Sequence, residues 1–163
     1  RQALVGGHYG LTRRLGDRLV PRPDFFATKL WASVMGPRVL SAQIRDPSIE
    51  DAYAPAPVAD CRAYAHCHRT QMGDVSLVVL NGASRVARRV ALPDEFASLS
   101  RLEYHMTAPS DVFDDQVLLN GMRLDAVDAE LAPRRVAGGP LTLAPASYVV
   151  VVVEGARFGP CLG

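Results

Sequence analysis

CRAYAHCHRTQMGDVSLVVL, Cys61 to Leu80, reads as two strands joined by a tight turn. In its first half Ala63, Ala65 and Cys67 fall on one side and Arg62, Tyr64 and His66 on the other. This is the alternation of a strand with one face on a core. Met72-Gly73-Asp74 is the turn, where glycine can supply a positive φ. Val75 to Leu80 is almost continuously apolar, so a central strand covered on both faces is expected. Cys67 lies inside this unit, and a bond from it to Cys161 would tie the hairpin to the end of the chain. The three cysteines permit one disulfide and one leftover thiol, and spacing does not choose between Cys61 and Cys67.

Downstream, short strand candidates run over Arg85 to Leu92, Arg101 to Thr107, Gln116 to Leu124 and Leu141 to Glu154. Turn chemistry separates them, and Asn120-Gly121 is a strong two-residue hairpin signal. Many short strands at near-regular spacing indicate an antiparallel β-sandwich. Upstream the pattern changes. Ala3-Leu4-Val5 followed by Gly6-Gly7 reads as a short buried strand ending in a turn, and Leu11 to Val20 as a basic loop. Pro21, Pro23 and Asp24 then open a helix in which Phe26, Leu30 and Val34 form an apolar stripe, closed by Gly36-Pro37. Val39 to Ile44 is a further strand candidate, and the Pro- and acid-rich Asp46 to Asp60 a loop. One strand–loop–helix unit cannot bury itself on both sides, so it calls for neighbours.

A chain of 163 residues holds one domain, or one domain and a piece of another. A net charge of +1 gives no case for nucleic acid or an anionic membrane as partner. The longest apolar run, Tyr148 to Val153, is far short of the ~20 residues of a membrane helix, so no transmembrane segment is expected. No stretch has the layout of a signal peptide. The start at Arg1, without Met and directly in strand-like sequence, is expected of a piece of a larger protein.

The carboxylates, among them Asp60, Asp94, Asp111, Asp114 and Asp115, fall mostly in loops and turns, and none is expected at a Gly-rich strand end poised over a pocket. Glu103, mid-strand between Arg101 and His105, reads as a same-face or cross-strand ion pair. His66 and His68 flank Cys67 on the opposite face with no second ligand cluster, so no metal site is expected. No serine has a nucleophile-elbow context, and Gly6-Gly7 is too short to cradle a phosphate. No cofactor is implied.

RQALVGGHYGL, Arg1 to Leu11, resembles the segment around the last barrel strand of the heparanase family, the plant heparanase-like proteins especially. The resemblance runs on through Pro23-Asp24-Phe25-Phe26, Leu30-Trp31, Met35-Gly36 and Val39-Leu40. It resumes at Arg62 to Cys67, Ser100 to Ala108 and Leu118 to Gly121, and ends with Leu143 to Val149 and Cys161. It implies a mainly-β chain, a C-terminal antiparallel β-sandwich (38–163) preceded by the last β/α unit of a (β/α)8 barrel (1–37). It further implies the C-terminal fragment of a retaining glycoside hydrolase acting on β-glucuronides, endo or exo. That fragment lacks the catalytic glutamate pair, so no catalytic residue is carried over and the chain alone is expected to be inactive. The contrasting reading is a noncatalytic β-sandwich module that binds carbohydrate or scaffolds a partner domain; the β/α piece at the front favours the first.

By the same resemblance Gly7 and Tyr9 correspond to positions that bind the uronic acid, with His8 between them where relatives commonly carry Asn. The resemblance also implies a Cys67–Cys161 disulfide, with Cys61 an extra thiol that leaves the pairing open. The implied partners are a glucuronic-acid-containing glycan or glucuronide and an upstream barrel domain of the same protein. The implied setting is oxidising: extracellular or secreted, cell wall, or vacuolar or lysosomal, peripheral membrane attachment included.

Overall fold

The computed structural model describes residues 3–5, 10–44, 60–111 and 113–163. The described part opens with β1 (Ala3–Val5), β2 (Gly10–Leu15) and β3 (Arg18–Pro21), a small sheet in which β1 runs parallel to β2 and β2 antiparallel to β3. The β2–β3 hairpin corrects the expected basic loop. Arg14 and Arg18 are exposed and conceal a strand pattern that Gly16-Asp17 folds back as a two-residue turn.

Helix α1 (Pro23–Val34) follows, with proline in its first turn and Asp24 beside its positive end. Phe26, Leu30 and Val34 are its buried stripe. The helix does not hand over to a loop: β4 (Met35–Leu40) starts at its C-cap, four residues earlier than the expected strand at Val39. Gly36 explains the shift. A Cβ there would stand 2.6 Å from the Cys67 carbonyl oxygen, so this glycine permits close strand approach rather than a helix-ending turn.

The opening stretch folds as read, into β5 (Cys61–His68) and β6 (Val75–Asn81), paired antiparallel from Cys61 opposite Asn81 to Cys67 opposite Val75. After them come β7 (Arg88–Val90), the short α2 (Asp94–Ala97), β8 (Ser100–Thr107), β9 (Val117–Leu119) and β10 (Met122–Leu124). β11 (Arg134–Ala137), β12 (Leu141–Leu143) and β13 (Ser147–Val153) complete the strands, before a 3-10 turn at Gly159–Cys161. The run from Leu141 to Glu154 is two strands, broken at Ala144 to Ala146, where Ala146 takes φ +46°. β11 has no sequence signal because its arginines are exposed.

The main sheet has the order β10-β9-β8-β13-β6-β5-β4, antiparallel throughout, with β11 also on β8. β9 and β11 share one edge of β8, and Asn120 closes the gap between them. Its Oδ1 accepts the His105 N–H at 3.0 Å, and its Nδ2 donates to the Glu103 and Ala132 carbonyls, both at 3.1 Å.

The two faces of this sheet bury different cores. On one, α1 lays Phe26, Leu30 and Val34 over Val78, Tyr104, Met106, Val150 and Val152. On the other, the β7–β12 ribbon, α2 and the C-terminal turn bring Leu92, Phe96, Leu141, Leu143 and Cys161 over Val75, Val79, Val149, Val151 and Val153. β6 and β13 are thus covered on both sides, as their unbroken apolar sequences require.

Candidate functional site

Gly7, His8 and Tyr9 lie outside the described residues. Their chain resumes at Gly10, and the neighbouring Leu11 carbonyl accepts the Arg22 N–H at 2.9 Å. This bond ties the N-cap of α1 to β2.

At that end of α1 the surface opens into a groove of about 630 Å³. Asp24 and Thr28 of the helix form one wall, Thr107 and Gln116 another, and Tyr148 of β13 lies between them over an apolar floor of Leu80, Met106 and Val117. Burial pushes the Tyr148 phenol up to about 12, so it is a neutral O–H that can donate or accept. The rim is held by local bonds. Asp114 accepts from Ser110 Oγ at 2.8 Å and from the Gln116 N–H at 3.0 Å, which holds its carboxyl below the usual range. Asn81 donates to the Val86 and Ala144 carbonyls, both at 2.8 Å. The groove offers hydroxyl, amide and carboxylate groups to a polar ligand. It is assembled from α1, β6, β8, β13 and the segment before β9, so no spacing in the sequence announces it.

Glu103 is the charged centre of the ribbon face. It is 1% exposed, accepts Arg101 Nε at 2.7 Å and Arg134 Nη2 at 2.6 Å, and lies 2.6 Å from His105 Nε2. Burial alone would push its carboxyl up. Hydrogen bonds from His105, Arg134 and Arg101 outweigh it and hold the carboxyl at about 2. Arg101, itself 1% exposed, also donates to the Gly139 carbonyl at 2.7 Å and so ties the β11–β12 connection to β8. A carboxylate so enclosed is a structural anion: three partners take its lone pairs. Sequence alternation finds Arg101 and His105 but misses Arg134, which enters from the unforeseen β11.

His66 and His68 point away from Cys67, as the alternation of β5 dictates. His66 Nδ1 donates to the Gly36 carbonyl at 2.6 Å. His68 Nδ1 accepts the Thr70 and Gln71 N–H groups at 3.2 and 3.0 Å, and burial pulls its pKa down. Cys67 is bonded to Cys161, 94 residues away in sequence, with 5.3 Å between their Cα atoms. Cys61 is a free, buried thiol that burial pushes up.

No protein-family model matches the chain. It is 28% identical over 169 residues to a baicalin-β-D-glucuronidase of Scutellaria baicalensis, an alignment taking in 99% of this chain and 29% of that protein. It is also 28% identical to the heparanase of Mus musculus and to heparanase-like protein 1 of Arabidopsis thaliana. Each alignment takes in 99% of this chain, with 30% and 34% of the relative. The chain therefore spans about a third of the length of these relatives, and corresponds to their C-terminal portion. In structure it is similar to a GH51 α-L-arabinofuranosidase from Thermotoga petrophila. The TM-score is 0.59 at 17% identity, over 93% of this chain and 32% of that one. An arabinose complex of the α-L-arabinofuranosidase from Thermotoga maritima gives 0.58 at 16% identity, over 88% and 31%. At such identities the likeness is one of fold.

Proposed function

We propose that this relative of the heparanases and heparanase-like β-glucuronidases is the C-terminal part of a retaining glycoside hydrolase that cleaves β-glucuronides. The observation that carries the reading is the alignment of 99% of the chain with a β-D-glucuronidase and with heparanases. The element order supports it: a short strand, a connection and α1 precede the antiparallel sheet. On this reading residues 1–37 are the last strand and helix of a (β/α)8 barrel and residues 38–163 the sandwich that buttresses it. The catalytic glutamates belong to the barrel upstream, and this chain alone turns over no aryl glucuronide. The Cys67–Cys161 bond accords with an extracellular, cell-wall, vacuolar or lysosomal setting.

In a (β/α)8 barrel the substrate meets the loops after the strands. Gly6 to Gly10 would be the last such loop, with Gly7 and Tyr9 on the uronic acid carboxylate and His8 between them. Glycine lets backbone N–H groups approach a carboxylate closely, and a phenol donates to it. In the longer protein Tyr9→Phe is expected to lower kcat/KM for a glucuronide by ~1.5–3 kcal/mol, one hydrogen bond to a charged group. The loss should shrink on the matching glucoside, which has no carboxylate. Equal losses on both substrates, or none on either, would assign Tyr9 to packing.

A further inference from the structure

At the C-terminal end of α1, away from the groove, lies a second recess of about 540 Å³, bounded by Trp31, Met35, Gly36, Pro37, His66 and Arg69. Trp31 is 38% exposed although it sits in the last turn of a helix whose neighbours Leu30 and Val34 are buried. The His66 ring stands against it, centroids 5.2 Å apart and planes at 77°. The carbonyl of Gly36 can only accept, so His66 Nδ1 carries the proton of that bond. In the neutral ring Nε2 is then an acceptor, and it has no partner among the described residues. Arg69 is held in place through its backbone, whose N–H donates to the Val34 carbonyl at 2.9 Å. Its guanidinium likewise has no partner among the described residues. Gly36 fixes the recess, because any side chain there would strike the Cys67 carbonyl. Tyr64, 47% exposed and two residues before His66 on the same side of β5, extends the aromatic surface.

We propose that this recess is a second carbohydrate site, which takes a sugar bearing a carboxylate. The apolar face of a pyranose packs on the indole of Trp31. The planar guanidinium of Arg69 meets the carboxylate in two parallel N–H bonds. His66 Nε2 accepts from a ring hydroxyl, and its bond to Gly36 keeps the imidazole oriented so that little freedom is lost on binding. We assign it binding and not turnover, because no carboxylate of the kind that glycosidases use lines it. The choice of a uronate rests on the glucuronide reading above; the need for a carboxylate beside an aromatic face rests on Trp31, His66 and Arg69 alone.

Trp31 is the only tryptophan of the chain, so its fluorescence reports on the recess directly. The folded 163-residue chain is titrated with a glucuronate-terminated disaccharide and with the glucose-terminated counterpart. A saturable change with the first, at least ~10-fold weaker with the second, is expected. Arg69→Gln should remove that preference while leaving the weak response to the glucoside, a tenfold change being one ion-assisted contact. No response to either sugar, or equal responses, overturns the site. If the isolated chain does not melt cooperatively, calorimetry on the longer protein with a polymeric glucuronate takes its place. There Trp31→Ala and Arg69→Gln must each weaken binding, and unchanged binding in both overturns it. Aryl glucuronide turnover by the longer protein without a Trp31 response removes the site and keeps the glycosidase reading; a Trp31 response without turnover does the reverse.

Discussion

The two faces of the main sheet are built on opposite plans. The ribbon face is closed: a disulfide, a two-stranded ribbon, a short helix and a buried ion cluster converge on it. The helix face is covered by α1 with Leu124, Ala129 and Leu131 packed beside it, and both recesses lie at the ends of that helix. The strands beneath are shared, so the difference comes from what covers them. A cross-linked lid holds one side shut, while on the other polar and aromatic side chains line a recess at each end of α1. Stability should therefore concentrate on the ribbon face and ligand contact on the helix face.

The sharpest way to break this contrast is to open the staple. Cys67→Ser with Cys161→Ser frees the C-terminal turn, which also reaches the β5–β6 turn through the Gly73 N–H to Cys161 carbonyl bond of 2.9 Å. The chain-entropy model gives ~4–5 kcal/mol for closing a loop of this length. Chemical denaturation of the double variant should show a loss of that order. A loss under ~1 kcal/mol would mean that packing by Phe158 and Phe96, not the covalent bond, keeps the ribbon face closed.

Next comes the buried anion. Glu103→Gln leaves Arg101 enclosed without its countercharge, which is expected to cost ~3 kcal/mol. The pH dependence follows from the sign of the shift. The Glu103 carboxyl is held at about 2 in the folded chain against an ordinary 4.5. Its contribution is therefore complete above about pH 4.5 and is lost as the pH falls towards 2, because the unfolded chain then binds the proton first. Melting curves of the two proteins should lie apart at pH 7 and converge below pH 4.5. A gap that persists unchanged to pH 2.5 would place the effect of the substitution in packing rather than in charge.

The ribbon face also shows where sequence reading reaches and where it stops. The hairpin Cys61 to Leu80 is legible because alternation on β5 and the unbroken apolar run of β6 are local signals of burial. The Asn120-Gly121 turn is legible for a similar reason: both residues tolerate the positive φ they adopt. β11 is not, since four largely exposed residues carry no period, and with it Arg134 escapes notice. The β2–β3 hairpin is hidden by exposed arginines, and the junction of α1 with β4 by a glycine whose role is set by the distant Cys67 carbonyl. The groove and the recess belong to this last kind. Tyr148 and Thr107, or Trp31 and His66, become neighbours only once the sheet is ordered and the helix is laid across it. The fold class and the cysteine chemistry are in the local pattern and the family resemblance, whereas the sites are in the packing.

The smallest expected effect tests the helix face. Ser76 is fully buried on the sheet side of α1, and its hydroxyl donates to the Val34 carbonyl at 2.9 Å. That carbonyl also accepts the Arg69 N–H, so it keeps a partner when the hydroxyl is removed. Ser76→Ala therefore deletes one neutral hydrogen bond without orphaning a buried acceptor, and alanine preserves the packing of the Cβ. The expected loss is ~1 kcal/mol, the ordinary net worth of such a bond. The recess should stay intact, because Trp31, His66 and the backbone of Arg69 are untouched. Denaturant titration gives the stability, and the Trp31 emission maximum reports on the recess in the same samples. A loss above ~3 kcal/mol, or a shifted emission, would mean that the C-terminal end of α1 depends on a single hydroxyl. The helix face would then be as tightly determined as the ribbon face, and the contrast between them would fail.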